Sequence, residues 1–193
     1  EIAPSEARIF SLAIQSIGMT AASLTILVLR VKVEKRVILW CSLGGILGIT
    51  LSTLFLLPYI SPPLVKVIFT VMVTLLGIAL LVMNLGNINY RNTTIPEKSV
   101  LENPVLFTIG IFGGVMSGLV GSGIDIITFI FLVLYFRICE KVATPTSVLL
   151  MTVNTIVGFT LHLFVLQDFT SQIMSYWFAA IPVVVVGAPF GAY

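Results

Sequence analysis

Charged residues are scarce in this chain. Asp, Glu, Lys and Arg make up 9% of its 193 residues, whereas soluble domains carry about 25%. Hydrophobic residues make up 58%, and the mean hydropathy is +1.14. Too few polar side chains are present to cover a water-soluble globule. The composition therefore predicts a multi-pass integral membrane protein. We expect it in the plasma (inner) membrane.

Cysteine and histidine are also rare, which limits the chemistry available. Cys41 and Cys139 lie far apart, one in an apolar segment and one in a basic loop, so we expect two unpaired thiols. His162 is the only histidine, and no metal-ligand spacing occurs, so we expect neither a metal nor a cofactor. The net charge is +2 without a basic run interleaved with aromatics, which argues against nucleic acid. The expected partners are the lipid bilayer and a small ligand, and the oligomeric state is left open.

Long hydrophobic runs dominate the chain and predict an all-α, polytopic bundle of transmembrane helices. A polar linker, residues 86–104, separates three spans in residues 1–85 from a broken run and two spans in residues 105–193. Because the chain opens without methionine and stops inside an apolar segment, we expect further spans beyond it. The six hydrophobic segments are residues 9–29, 37–57, 67–85, 105–136, 147–166 and 173–193.

The fourth hydrophobic segment is too long for one straight span. As a helix, its 32 residues would reach about 48 Å, against a hydrocarbon core of roughly 30 Å. Its glycine-rich part reads GIFGGVMSGLVGSGID from Gly110 to Asp125. This composition predicts a helix broken at Gly121-Ser122-Gly123, with a hairpin that re-enters the membrane from one side. The stripe Gly110, Gly114 and Gly118 predicts tight helix packing.

The distribution of positive charge favours the hairpin. If the fourth segment crosses the membrane once, basic residues divide six against four, whereas a hairpin divides them eight against two. The hairpin therefore gives the sharper bias and makes the basic side cytoplasmic. The eight are Arg30, Lys32, Lys35, Arg36, Arg91, Lys98, Arg137 and Lys141; the two are Arg8 and Lys66.

A weak internal repeat relates the first and fifth segments. Residues 11–17 resemble residues 150–156, and each stretch places one amide, Gln15 or Asn154, inside a span. With a hairpin between them the copies would be inverted, as in many secondary transporters. Each copy is followed, one segment later, by a Gly-x-x-x-Gly: Gly44 with Gly48, and Gly187 with Gly191.

The polar groups of these segments are the candidate site. The turn Gly121-Ser122-Gly123 could offer N–H groups to an anion. Asp125 is the only acid deep in an apolar segment, so it is either a proton carrier or cation ligand, or the N-cap of a second half-helix at residues 126–136. Both roles are compatible in one carboxylate.

A second group of candidates opens the fifth segment. Thr144-Pro145-Thr146-Ser147 has the pattern of a helix start, which would either only cap the helix or also help to hold an anion. Asn154, two turns further on, and Gln15 need partners when buried, so they either join helices or face the pathway. We expect Gly121, Ser122, Gly123, Pro145, Thr146, Ser147, Asn154 and Gln15 to bind substrate, and Asp125 to couple a proton.

Two stretches resemble one membrane-transporter family. GGVMSGLVGSGIDI (Gly113 to Ile126) and EKVATPTSVLLMTVNTIVG (Glu140 to Gly158) are similar to the second signature of the sulfite exporter TauE/SafE family. The resemblance implies two repeats and transport of small sulfur-containing or organic anions, such as sulfite or sulfonates. It also implies a transporter rather than an enzyme.

The sequence therefore predicts a secondary transporter of a small oxyanion, possibly coupled to protons through Asp125. One alternative is a passive channel or pore that uses the glycines for packing only. Another is an intramembrane enzyme with a Ser122–His162 pair, although we favour a structural or interfacial His162. The chain departs from the family pattern in having Gly123-Ile124-Asp125 where the family more commonly has a glycine run. This departure bears on the substrate, because a carboxylate repels an anion unless it is protonated.

Overall fold

In a computed structural model that describes residues 4–85, 92, 94–95 and 102–192, the chain is built from seven α-helices. Three of them continue through a π-helical turn: α2 through Ser52–Leu56, α5 through Phe131–Tyr135 and α6 through Leu161–Leu166. The helices are α1 (Pro4–Val28), α2 (Lys35–Leu51), α3 (Pro62–Leu85), α4 (Glu102–Val120), α5 (Ile124–Ile130), α6 (Glu140–Thr160) and α7 (Ser171–Ala192).

Within the described ranges, six helices are long and apolar enough to cross a membrane, which confirms the polytopic helical bundle. The exception is α5, which with its π turn forms the shorter apolar element Ile124–Tyr135. Since α4 begins at Glu102, the last residues of the predicted linker are helical. Most of that linker, with Arg91 and Lys98, lies outside the described residues, and the division into two repeats stays a prediction.

Backbone contact joins α2 to α4. A Cβ added to any of three glycines of α4 would collide with α2, so the two helices approach closely, as the glycine stripe predicted. The contacts advance in the same direction along both helices, which are therefore parallel. The three pairs are Gly110 with Cys41, Gly114 with Gly45 and Gly118 with Ser52.

A second stripe of small residues on α4 packs against α5. A Cβ on Gly113 would lie 2.8 Å from the Cα of Ile124, although eleven residues separate the two in sequence. The hydroxyl of Ser117 accepts a hydrogen bond from the Ile124 N–H at 3.0 Å. The chain therefore folds back on itself between α4 and α5.

The segment that folds back, α5 with its π turn, ends beside the start of α4. Phe136 and Ile138 share one buried cluster with Val37 at the start of α2, Leu106 near the start of α4 and Val142 near the start of α6. These contacts bring the first turns of α2, α4 and α6 to one end of the bundle, hereafter the basic end. The basic residues described there are Arg30, Lys32, Lys35, Arg36, Arg137 and Lys141, and the Arg36–Glu102 ion pair joins α2 to α4 at 3.1 Å.

Helix α1 runs antiparallel to α6 and packs on α7. The Thr152 hydroxyl donates to the Met19 carbonyl at 2.9 Å, and Gly158, further along α6, lies against Leu12, nearer the start of α1. This direction is what an inverted repeat requires, but the equivalence of the halves stays a prediction. Both cysteines are free, as expected, and Cys41 is fully buried.

The α2–α4 contact predicts a large effect of one added methyl group. A Cβ in Gly114→Ala must displace the Gly45 backbone, so we expect a loss of about 1–3 kcal/mol of stability. The matched control is Gly77→Ala on α3, where a Cβ meets nothing within 4 Å. The measurement is the fraction of each variant that stays monodisperse after heating in detergent. Equal heat resistance of the two would contradict the close α2–α4 contact.

Candidate functional site

The centre of the candidate site is the break between α4 and α5. Gly121 adopts a positive φ of +93°, a conformation that side-chain-bearing residues rarely take. Its N–H donates to the Ser117 carbonyl at 2.8 Å, and a Cβ would lie 3.1 Å from the Arg8 carbonyl oxygen of α1. The turn therefore favours glycine at this position, and a side chain would also require α1 to shift by a few tenths of an ångström.

Asp125 lies in the first turn of α5, half-buried. Its carboxylate accepts a long hydrogen bond from the Ser122 hydroxyl at 3.4 Å. The second half-helix begins at Ile124 rather than at residue 126, and its N-cap is Gly123, so the N-cap role considered for Asp125 is wrong. Ser117 meets the free Ile124 N–H instead. A carboxylate in the first turn is still favoured by the positive end of the helix dipole.

Asn154 is fully buried where α6 crosses α2 and the start of α5. Its amide N–H donates to the Leu150 carbonyl at 3.2 Å, while its Oδ1 has no partner among the described residues. Both amide atoms lie within 2.7 Å of a Cβ placed on Gly45, and the Ile124 side chain fills the same spot. The amide therefore occupies space that only glycine at position 45 leaves open.

Gln15 repeats this arrangement on α1. Its amide N–H donates to the Ser11 hydroxyl at 2.8 Å, and its buried Oε1 likewise has no partner in the described part of the chain. Ser11 in turn lies against Gly121. Because α1 and α6 are antiparallel with Thr152 beside Met19, Gln15 and Asn154 lie at about the same height in the bundle. Two buried acceptors without donors are costly unless a ligand satisfies them.

The predicted helix start at Thr144–Ser147 is wrong, because α6 already begins at Glu140 and Pro145 lies inside it. The N–H groups of Val142 and Ala143 bond the Cys139 carbonyl at 2.9 and 3.0 Å, which starts the helix one turn earlier. No helix N-terminus is therefore available to an anion beside Thr146.

The hydroxyls of Thr146 and Ser147 are engaged with backbone groups. Thr146 donates to the Val142 carbonyl at 2.6 Å and accepts from the Glu34 N–H at 3.0 Å, and Ser147 donates to the Thr144 carbonyl at 2.9 Å. Thr146 lies eight residues, about 12 Å along the helix, from Asn154. The structure therefore brings Gly121, Gln15 and Asn154 to one region and places Thr146 and Ser147 at the basic end.

A cavity lies at the basic end, between α1, α6 and α7. Its volume is about 540 Å³, and Lys141, Thr144 and Pro145 contribute to its lining together with apolar residues of α1 and α7. Pro145 thus borders an open space although its side chain is largely covered.

At the end of the bundle opposite the basic end lies a polar group that the sequence analysis did not predict. His162 Nδ1 lies 3.0 Å from both carboxylate oxygens of Asp168, and Arg8 of α1 lies at the level of His162, since Leu12, one turn along α1, packs against Gly158 of α6. The Ser122 hydroxyl bonds Asp125 and not His162. The spacing of Arg8, Ser11 and Gln15, which puts all three on one helix face, was an available signal for Arg8. No local sequence pattern indicates a role for Asp168, because its position near Arg8 depends on the packing of α1 on α6.

Comparison with known proteins agrees with this architecture. The family model described as sulfite exporter TauE/SafE matches residues 2–193. The chain belongs to the TauE/SafE family. The family is one of membrane transporters rather than enzymes, and the chain is a multi-pass integral protein of the plasma membrane. No curated protein and no solved structure matches the chain.

The geometry of the break predicts the effect of Gly121→Ala. A side chain at φ +93° is strained by about 1–3 kcal/mol, and the new Cβ would press on Arg8 and Ser11. We expect faster hydrogen exchange across residues 121–130 and reduced transport. Gly187→Ala, where a Cβ meets nothing within 4 Å, is the control. Unchanged exchange and flux in Gly121→Ala would show that the turn tolerates a side chain.

Proposed function

We propose that this TauE/SafE protein is a secondary transporter of a sulfite- or sulfonate-like anion, coupled to protons through Asp125. One observation carries the proposal: the break between α4 and α5 places a lone acid beside a turn that the polar residues of α1 line. Broken helices of this kind form the binding sites of many secondary transporters, because freed polar groups can face a ligand. The family supports an anion of the sulfite class as substrate.

The proposed pathway runs through the middle of the bundle. The anion passes the turn Gly121-Ser122-Gly123 and the two amides, Gln15 and Asn154. Their unpartnered oxygens accept hydrogen bonds, so they suit a substrate that carries a proton, and either amide can rotate to offer its N–H groups to an oxyanion. Pro145, Thr146 and Ser147 form the basic end of the pathway, where Pro145 borders the cavity beside Lys141.

Electrostatic repulsion is the reason that Asp125 would bind a proton together with the anion. An ionised Asp125 repels an anion at the neighbouring turn, and in a region of low dielectric this repulsion is strong. Protonation removes the repulsion and leaves the hydroxyl of Ser122 free to bond either group. In the proposed cycle, therefore, Asp125 binds its proton when the anion arrives and releases it after the anion leaves. Anion and proton then cross the membrane together.

Two other functions are weaker. A passive pore would use the glycine stripes for packing alone and gives no role to Asp125. An intramembrane enzyme would require Ser122 as nucleophile, but its hydroxyl bonds an acid that belongs to α5 rather than a histidine. Saturable, gradient-dependent flux excludes the pore, and failure of a serine-reactive probe to label Ser122 removes the enzyme.

Replacement of the acid tests the coupling directly. In proteoliposomes with labelled sulfite or a sulfonate, we expect a pH gradient to drive saturable flux by the wild type. Asp125→Asn mimics the protonated acid, so we expect it to keep binding and exchange but to lose the response to the gradient. Asp125→Glu, the matched control, should retain that response. If Asp125→Asn shows the same gradient dependence as the wild type, Asp125 is not the proton carrier.

A further inference from the structure

Three ionisable side chains meet at the end of the bundle opposite the basic end: Arg8 of α1, His162 of the π turn after α6, and Asp168 of the following loop. The carboxylate of Asp168 can only accept, so His162 must donate its Nδ1–H, at 3.0 Å from both oxygens. Arg8 lies one turn before Leu12 on α1, and His162 lies one turn after Gly158, which packs against Leu12. The antiparallel packing of α1 on α6 therefore brings Arg8 to the level of His162.

Two nitrogens of this cluster lack a hydrogen-bond partner in the described part of the chain. Arg8 is only 8% exposed and His162 is 0% exposed, yet Arg8 Nε and His162 Nε2 have no partner among the described residues. A buried guanidinium with an unused N–H is expensive, because desolvation is not repaid by a hydrogen bond. Such groups are normally satisfied, so their presence together points to a ligand.

The N–H donors of the Arg8 and His162 side chains indicate the class of ligand. Arginine presents a planar fork of N–H donors that matches two oxygens of one oxyanion. Once Asp168 leaves, the Nδ1–H of His162 donates to the oxyanion that takes its place. Tetrahedral or pyramidal sulfur oxyanions offer the several oxygens that this pair requires.

We propose that Arg8 and His162 form a binding site for the transported sulfur oxyanion, and that the anion displaces Asp168 from His162. This inference rests on the proposed function and adds the cationic groups that the turn and the amides lack. The side chain of Asp168 is 38% exposed, so it can swing into water when an anion takes its place. Because one negative charge replaces another, the net charge beside Arg8 and His162 stays the same.

The position of Arg8 links this site to the pathway. Its backbone oxygen and its Cγ lie against Gly121, and Ser11, one turn along α1, touches the same glycine and bonds Gln15. An anion that leaves Arg8 therefore next meets the turn Gly121-Ser122-Gly123. Arg8 lies against Gly121 of this turn, and Asp125 bonds Ser122 of the same turn.

A natural reporter adjoins the site. Phe169, the residue after Asp168, packs edge-on against Trp177 with ring centroids 5.9 Å apart, and Phe159 completes the group. Displacement of Asp168 moves the chain at Phe169 and changes the surroundings of the indole. With Trp40→Phe as background, Trp177 is the only tryptophan, so its fluorescence reports on this loop.

The test is titration of the purified full chain in detergent with sulfite and with methanesulfonate, with gluconate at equal ionic strength as blank. We expect a saturable change of Trp177 fluorescence. Arg8→Gln and His162→Leu should each weaken binding about tenfold or more, and Arg8→Lys, which keeps the charge but not the fork, should weaken it less. Asp168→Asn should tighten binding about threefold or more, because the competing charge is gone.

Lys66→Gln is the matched control, since it removes an exposed cation from the start of α3 at the same end of the bundle. It should bind like the wild type. Each variant is first checked for monodisperse elution. If the substitutions at the buried Arg8 and His162 prevent folding, Asp168→Asn alone tests the proposal. Removal of an acid with a purely structural role would not tighten anion binding.

The outcomes separate this inference from the proposed function. If wild type binds and transports sulfite while Arg8→Lys binds normally and Asp168→Asn binds no tighter, the site is wrong and the transporter stands. If the wild type neither binds nor transports either anion, the proposed substrate class fails, and the site fails with it.

Discussion

The contact of the α2 backbone with the α4 backbone is the constraint on which the rest of the structure depends. Glycines on both helices let carbonyl oxygens of one approach the Cα atoms of the other, which no larger residue allows. Once this face of α4 is fixed, the second stripe, Gly113 and Ser117, must point toward α5. The chain can then return along α4, with Ser117 bonded to the Ile124 N–H where α5 begins.

The return of the chain divides the polar groups of the bundle by chemistry. Near Asn154 and Gln15 the unused atoms are acceptors, and Asp125 adds a carboxylate, so this region suits a proton or a protonated group. Also beside Gly121, the unused atoms belong to Arg8 and, at the same level on α6, to His162. A transporter that moves an anion with a proton needs both kinds of environment close together, and the turn at Gly121 adjoins Arg8 and Ser11, the partner of Gln15.

Much of the fold follows from one-dimensional patterns. Hydrophobic length gave the six apolar segments, and glycine spacing predicted the close α2–α4 approach. The start of α6 was missed because the polar run from Glu140 resembles a loop and Pro145 resembles a first-turn residue, whereas the Cys139 carbonyl already begins the helix. The Arg8, His162 and Asp168 cluster was missed because it depends on antiparallel packing of α1 on α6, which no local pattern encodes.

The central claim is that the chain folds back at Gly121–Gly123, so that the end of α5 lies on the same membrane side as the start of α2. Labelling of Cys139 with a membrane-impermeant maleimide, in sealed oriented vesicles of a Cys41→Ser variant, tests it directly. Lys32→Cys and Lys66→Cys, each made without native thiols, mark the two sides. If the chain folds back, Cys139 is labelled from the same side as Lys32→Cys. Labelling from the side of Lys66→Cys would contradict it.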